Sequence, residues 1–103
     1  MTMPSTRPYA HPLPDWGCDC HVHVFGPFDR FPLWAQRAYT PGPASIEDLT
    51  ALLKRLGLRR VVIVQASPQG VDNRCLVDAL QHLNARTDIQ ARGVAVIDDQ
   101  TSP

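Results

Sequence analysis

His21 and His23 stand two residues apart in the run Cys18-Asp19-Cys20-His21-Val22-His23-Val24-Phe25, where polar and apolar side chains alternate. Alternation of this kind is the pattern of a β-strand, whose successive side chains point to opposite faces. Asp19, His21 and His23 are then expected on one face, and Cys18, Cys20, Val22 and Val24 on the other. Histidines at i and i+2 lie roughly 7 Å apart along the backbone, so both imidazoles reach one ion or one substrate group. By residue type they could ligate zinc, manganese or iron, exchange protons as acid and base, or be hydrogen-bonded core histidines. A catalytic zinc usually takes three protein ligands, and Asp19 is the one obvious further group on that face.

The elements that must position these groups can be read along the chain. Gly26-Pro27 stops the strand and places His23 near its C-terminal end, where the active sites of parallel α/β folds collect. Gly26 to Pro43 is a long connection carrying Pro27, Pro32, Pro41 and Pro43 together with Phe28, Phe31, Trp34 and Tyr39. Its aromatic content argues against simple disorder, so the loop is expected to cover a site. Ser45 reads as the N-cap of a helix with Glu47 and Asp48 in its first turn, a stripe of Ile46, Leu49, Leu52, Leu53 and Leu56, and Gly57 as its stop. Arg60 to Ser67 has the β-branched run of a strand buried on both faces, and the intervening helix makes it parallel to the first. Gln65 and Ser67 fall at its C-terminal end, where Ser67 serves either as a turn residue or as a ligand contact. A second helix starts at Asp72-Asn73-Arg74, with Leu76, Val77, Leu80 and Leu83 on one face and His82 at the surface, and Ala91 to Ile97 reads as a third strand. Residues 1–15, with Pro4, Pro8, Pro12 and Pro14, form a proline-rich tail in which His11 is a solvated linker residue. Residues 16–103 form the folded α/β part.

Composition narrows the partners. The 103 residues carry ten basic and ten acidic side chains, a formal charge of zero with no long basic run, so nucleic acid and anionic membranes are not expected as partners. No stretch is long and apolar enough for a membrane helix, and no signal-peptide pattern opens the chain. Three cysteines, two of them on one strand, fit free thiols in a reducing cytoplasm better than disulfides or a zinc finger.

Four segments, Asp19-Cys20-His21-Val22-His23-Val24-Phe25-Gly26-Pro27, Tyr39-Thr40-Pro41, Val64-Gln65-Ala66-Ser67 and Asp72-Asn73-Arg74-Cys75, together resemble the amidohydrolase superfamily. Within it the chain is most similar to the amidohydrolase-related branch that contains 2-pyrone-4,6-dicarboxylate lactonase. The resemblance runs from about Trp16 to Asp98 and corresponds to the N-terminal third of the family's domain. It implies the first part of a (β/α)8 TIM barrel, about three parallel strands and two helices, with His21 and His23 as the first-strand His-x-His that binds metal in most members. In the lactonase branch no divalent metal is required, and the two histidines line the pocket beside the scissile carbonyl. Tyr39 and Ser67 match positions that contact a substrate carboxylate. The implied activity is hydrolysis of a small carboxylate-bearing lactone by water, in the degradation of aromatic acids. The alternatives are a zinc- or manganese-dependent decarboxylase or amidohydrolase of the same superfamily, and, from a different class, a catalytically inert α/β binding module. A whole barrel needs ~250 residues. The chain is therefore expected to need the remainder of the barrel, whose later strands would bring a further histidine, arginines and a water-activating aspartate, and to be inactive alone.

Overall fold

The computed structural model describes residues 13–102, so most of the expected tail, His11 included, lies outside the described residues. Three strands, β1 (Cys18–Val22), β2 (Arg60–Val64) and β3 (Gln90–Val94), alternate with two helices, α1 (Ile46–Leu56) and α2 (Arg74–Asn84). The strands lie in the order β1-β2-β3 and both pairings are parallel. Each helix is the crossover that a parallel pair demands. No helix among the described residues is long and apolar enough to cross a membrane.

α1 begins and ends where its sequence signals stand. The Ser45 hydroxyl accepts from the Asp48 N–H at 3.0 Å while the Asp48 carboxylate accepts from the Ser45 N–H at 3.3 Å, a reciprocal capping box. At the other end Gly57 takes φ 72°, and the Leu58 N–H turns back to the Leu53 carbonyl at 2.9 Å. A side chain at position 57 would strain this left-handed cap.

The core lies between the helices and one face of the sheet. Leu49 and Leu53 of α1 and Cys75, Leu76, Ala79 and Leu83 of α2 pack with Val61, Ile63 and Ala91. Gly93 lets α2 approach β3 directly, because a Cβ there would stand 2.9 Å from Leu80 and 3.1 Å from Leu76. Val62 and Val64, of opposite parity on β2, are half-buried and Val94 on β3 is exposed.

Two asparagines hold β3 and the segment just after it by imitating a neighbouring backbone. Asn84 accepts from the Ala91 N–H at 2.8 Å and donates to the Ala91 carbonyl at 3.0 Å. Asn73 does the same for Val96, at 3.1 and 2.9 Å, instead of capping α2 with its side chain. Asn84→Ala is expected to destabilise the fold by about 1–2 kcal/mol, the cost of leaving part-buried backbone groups to imperfect solvation. The urea midpoint of unfolding measures it.

The structure corrects the expected strands in two respects. First, each ends earlier than its apolar run: β1 at Val22 rather than Phe25, β2 at Val64 rather than Ser67, β3 at Val94 rather than Ile97. Beyond those points other partners take over part of the backbone, as the Asn73 side chain does for Val96 and Ala44 for Phe25. Second, strict alternation fails in β1. Asp19 pairs with Val61 but Val22 with Ile63, so three steps on β1 match two on β2. With this bulge Cys20 is exposed beside His21, while Val22 and Val24 pack on the core. Bulges of this kind re-aim side chains near sites.

Candidate active site

His23 is the first residue beyond β1, and its Nδ1 lies 2.8 Å from the carbonyl of Val64, the last residue of β2. A carbonyl only accepts, so Nδ1 carries a proton, and the neutral form of the ring then has its lone pair on Nε2. The His21 ring meets His23 edge-on, with centroids 5.2 Å apart and planes at 81°. The Phe25 ring lies 5.8 Å from that of His23. Both imidazoles are exposed at the C-terminal end of the strands and so are open to a ligand. Asp19, the third candidate on that face, accepts from the His21 N–H at 3.3 Å and so is turned onto its own strand. Among the described residues no three His, Cys, Asp or Glu side chains are grouped to hold a metal ion. Two imidazoles are one donor short of the usual protein ligand set of a catalytic zinc, so these residues alone do not complete one.

Ser67 is exposed and opens a single 3-10 turn, Ser67–Gln69, that leaves the end of β2. Gln65 keeps the buried side of β2 and donates to the Gly70 and Asp72 carbonyls at 3.1 and 2.9 Å. Gln69 is the residue that sequence reasoning missed. Only 8% exposed, it donates to the Val24 carbonyl at 2.9 Å and accepts from the Ala66 N–H at 3.0 Å. One amide thus ties the residue after His23 to the residue before Ser67. No periodicity marks it; a polar side chain directly after the strand-ending proline is the only signal the sequence offers.

The aromatic loop is fastened at its base and its middle. Phe25 and Ala44 exchange backbone hydrogen bonds of 2.8 and 3.1 Å, closing the base beside His23. In the middle the Trp34 N–H donates to the Pro68 carbonyl at 2.8 Å, and the indole lies over Gly70. Tyr39, 53% exposed, sits in the second half of the loop. The structure therefore brings His21 and His23 together and joins the Tyr39 loop to the Ser67 turn through Trp34. Among the described residues neither Tyr39 nor Ser67 hydrogen-bonds an imidazole.

The Asp72-Asn73-Arg74-Cys75 segment supports the site without lining the strand ends. Arg74 binds Asp72 through two hydrogen bonds of 2.9 and 2.8 Å, which hold the Asp72 carboxyl below its ordinary pKa. Burial is the main cause that pushes the Cys75 thiol up, so it stays a protonated donor, 3.5 Å from the Val24 carbonyl and 3.6 Å from that of Gly26. All three cysteines are free.

Comparison with known proteins agrees with this architecture. The amidohydrolase family model matches residues 18–101. A 2-pyrone-4,6-dicarboxylate hydrolase of Comamonas testosteroni is 44% identical over 95 residues, covering 86% of this chain and 30% of that protein. A 4-sulfomuconolactone hydrolase of Rhizobium radiobacter is 39% identical over 81 residues, covering 79% of this chain and 27% of the relative. Among solved structures, a probable 2-pyrone-4,6-dicarboxylic acid hydrolase from Acinetobacter baumannii, with citric acid bound, matches with a TM-score of 0.70 at 24% identity. That match covers 82% of this chain and 30% of the other, and at this identity it shows the fold: three parallel strands and two helices of a TIM barrel. The chain spans about 30% of the length of the relatives it matches.

Proposed function

Because this chain belongs to the amidohydrolase family, we propose that it supplies the first strands of a hydrolase that opens a small, carboxylate-bearing lactone of the 2-pyrone-4,6-dicarboxylate kind. One observation carries the reading of the site: His23 is held as the Nδ1–H tautomer by Val64, so its Nε2 is an acceptor at the strand ends. An acceptor there orients the attacking water and takes its proton as the oxygen adds to the ester carbonyl, and on this reading the later-strand aspartate that the resemblance implies assists the same proton transfer. The acyl carbon–oxygen bond of the ring then breaks, and the proton passes to the leaving ring oxygen. His21, whose ring nitrogens are not committed to a protein carbonyl among the described residues, donates to the carbonyl oxygen as negative charge develops there. The Tyr39 and Ser67 hydroxyls donate to a substrate carboxylate, a charge-assisted bond that fixes the ring for attack.

The remaining contacts come from the rest of the barrel, which this reading requires as its partner. In it the enzyme works in the cytoplasm, with its thiols free, and needs no divalent cation. A zinc- or manganese-dependent decarboxylase or amidohydrolase would need at least one more protein ligand beside His21 and His23.

The test uses the product of the natural gene, dialysed against a chelator and supplied with 2-pyrone-4,6-dicarboxylate. Loss of the pyrone absorbance at an unchanged rate after chelation is the expected result. No turnover of this lactone or of 4-sulfomuconolactone would overturn the assignment. Activity lost to the chelator and restored by zinc or manganese would establish the metal-dependent alternative.

A further inference from the structure

We infer that Arg37 and Trp34 form a latch that positions Tyr39 toward the Ser67 turn, so that substrate affinity at this site depends on an arginine that does not itself touch substrate. The inference rests on the lactone reading for its ligand, a carboxylate, but the latch is visible without it. Gly26 to Pro43 is a long connection whose base is closed by Phe25 and Ala44 and whose Phe31 packs on the core, but the stretch after Phe31 would be free to move without a further tie. Trp34 removes that freedom. Its N–H is bonded to Pro68, the neighbour of Ser67, and its ring fills the space of the side chain Gly70 lacks: a Cβ at 70 would stand 3.1–3.3 Å from Trp34 atoms.

Arg37 then carries this fixed point to the tyrosine. Its Nη1 donates to the Trp34 carbonyl at 2.8 Å and its Nε to the Thr40 hydroxyl at 2.9 Å, directly beside Tyr39. The guanidinium thus spans Trp34 to Thr40 with two donors in one rigid plane, a geometry that a lysine ammonium does not reproduce. A tyrosine held in this way meets a substrate carboxylate without first having to be ordered, and that ordering would otherwise weaken binding.

Two measurements test it. In hydrolysis of 2-pyrone-4,6-dicarboxylate by the natural gene product, Arg37→Ala is expected to raise KM about tenfold with kcat within about twofold, and Arg37→Lys to recover only part of the loss. Tyr39→Phe is expected to raise KM as well, and adding Arg37→Ala to it to change little more, because both remove one interaction. Equal falls in kcat for Arg37→Ala, an unchanged KM, or fully additive effects would overturn the latch. The second measurement needs no substrate. Read in the natural gene product as the difference from the matching Trp34→Phe protein, the Trp34 emission is expected to shift to the red on Arg37→Ala and to become more accessible to acrylamide. Emission and quenching unchanged by Arg37→Ala would overturn the latch. A chain that hydrolyses no lactone, yet shows the emission shift, would overturn the function proposed above and leave the latch standing.

Discussion

On the lactone reading, His23→Ala in the natural gene product is expected to lower kcat by about 10²- to 10⁴-fold and to change KM little, the range expected when a general base is removed from an otherwise intact site. The expectation follows from the bond between Nδ1 and the Val64 carbonyl, which in the neutral ring leaves Nε2 free to take the proton on the reading proposed above. His23→Asn separates tethering from basicity. The asparagine amide nitrogen stands roughly where Nδ1 does and can keep the bond to Val64, but it brings no basic nitrogen to the strand ends. Both variants are expected to lose kcat alike, measured as initial rates at saturating lactone. Near-normal turnover by His23→Asn would show that the imidazole serves only to anchor the chain, and the role of base would pass to another residue.

Gln69→Leu is expected to destabilise the protein by about 2–4 kcal/mol, because one substitution leaves the buried Ala66 N–H and the Val24 carbonyl without their main partner. The weak Cys75 thiol contact to the same carbonyl keeps the figure from being larger. Denaturant midpoints of the two proteins give the difference. Gln69→Glu adds a signed pH dependence. Its carboxyl can donate to Val24 only when protonated, and burial opposes its ionisation, so its folded pKa lies above the ordinary value of about 4.3. The variant's stability relative to the parent is then fully present below that value and falls as pH rises through the folded pKa. A difference between the two proteins that does not vary with pH would mean that this side chain leaves the buried site when charged.

Much of this arrangement was legible in the residues. The parallel order of three strands and two helices follows from periodicity and from the Ser45 and Gly57 signals, because a capping box and a left-handed glycine are local chemistry. The His21-x-His23 pair could be placed at a strand end because Gly26-Pro27 ends any strand. What sequence spacing could not show is anything decided between segments. The β1 bulge depends on how Val22 registers against Ile63, not on β1 alone. Gln69 looks like an ordinary polar loop residue and Asn73 like a residue of the helix start until the chain closes and gives each a backbone from a distant segment, Val24 for one and Val96 for the other. Asp19 reads as a ligand from its parity, yet a backbone N–H two residues away takes its carboxylate.

The hold of Asn84 on Ala91 also reaches past the sheet's present boundary. Residues Gln90 and Val94 bond inward to β2, through the Arg59 carbonyl and the Gln65 N–H, so on the alternation of a parallel ladder Ala91 and Gly93 point their N–H and C=O groups the other way. With both groups of Ala91 already taken, a strand arriving at that edge finds its first free rung at Gly93. A newcomer slipped by one repeat toward the N-terminus would have to evict the asparagine. The side chain therefore works as an index mark: it admits one alignment of whatever strand is added and handicaps the next, before any packing between side chains has begun.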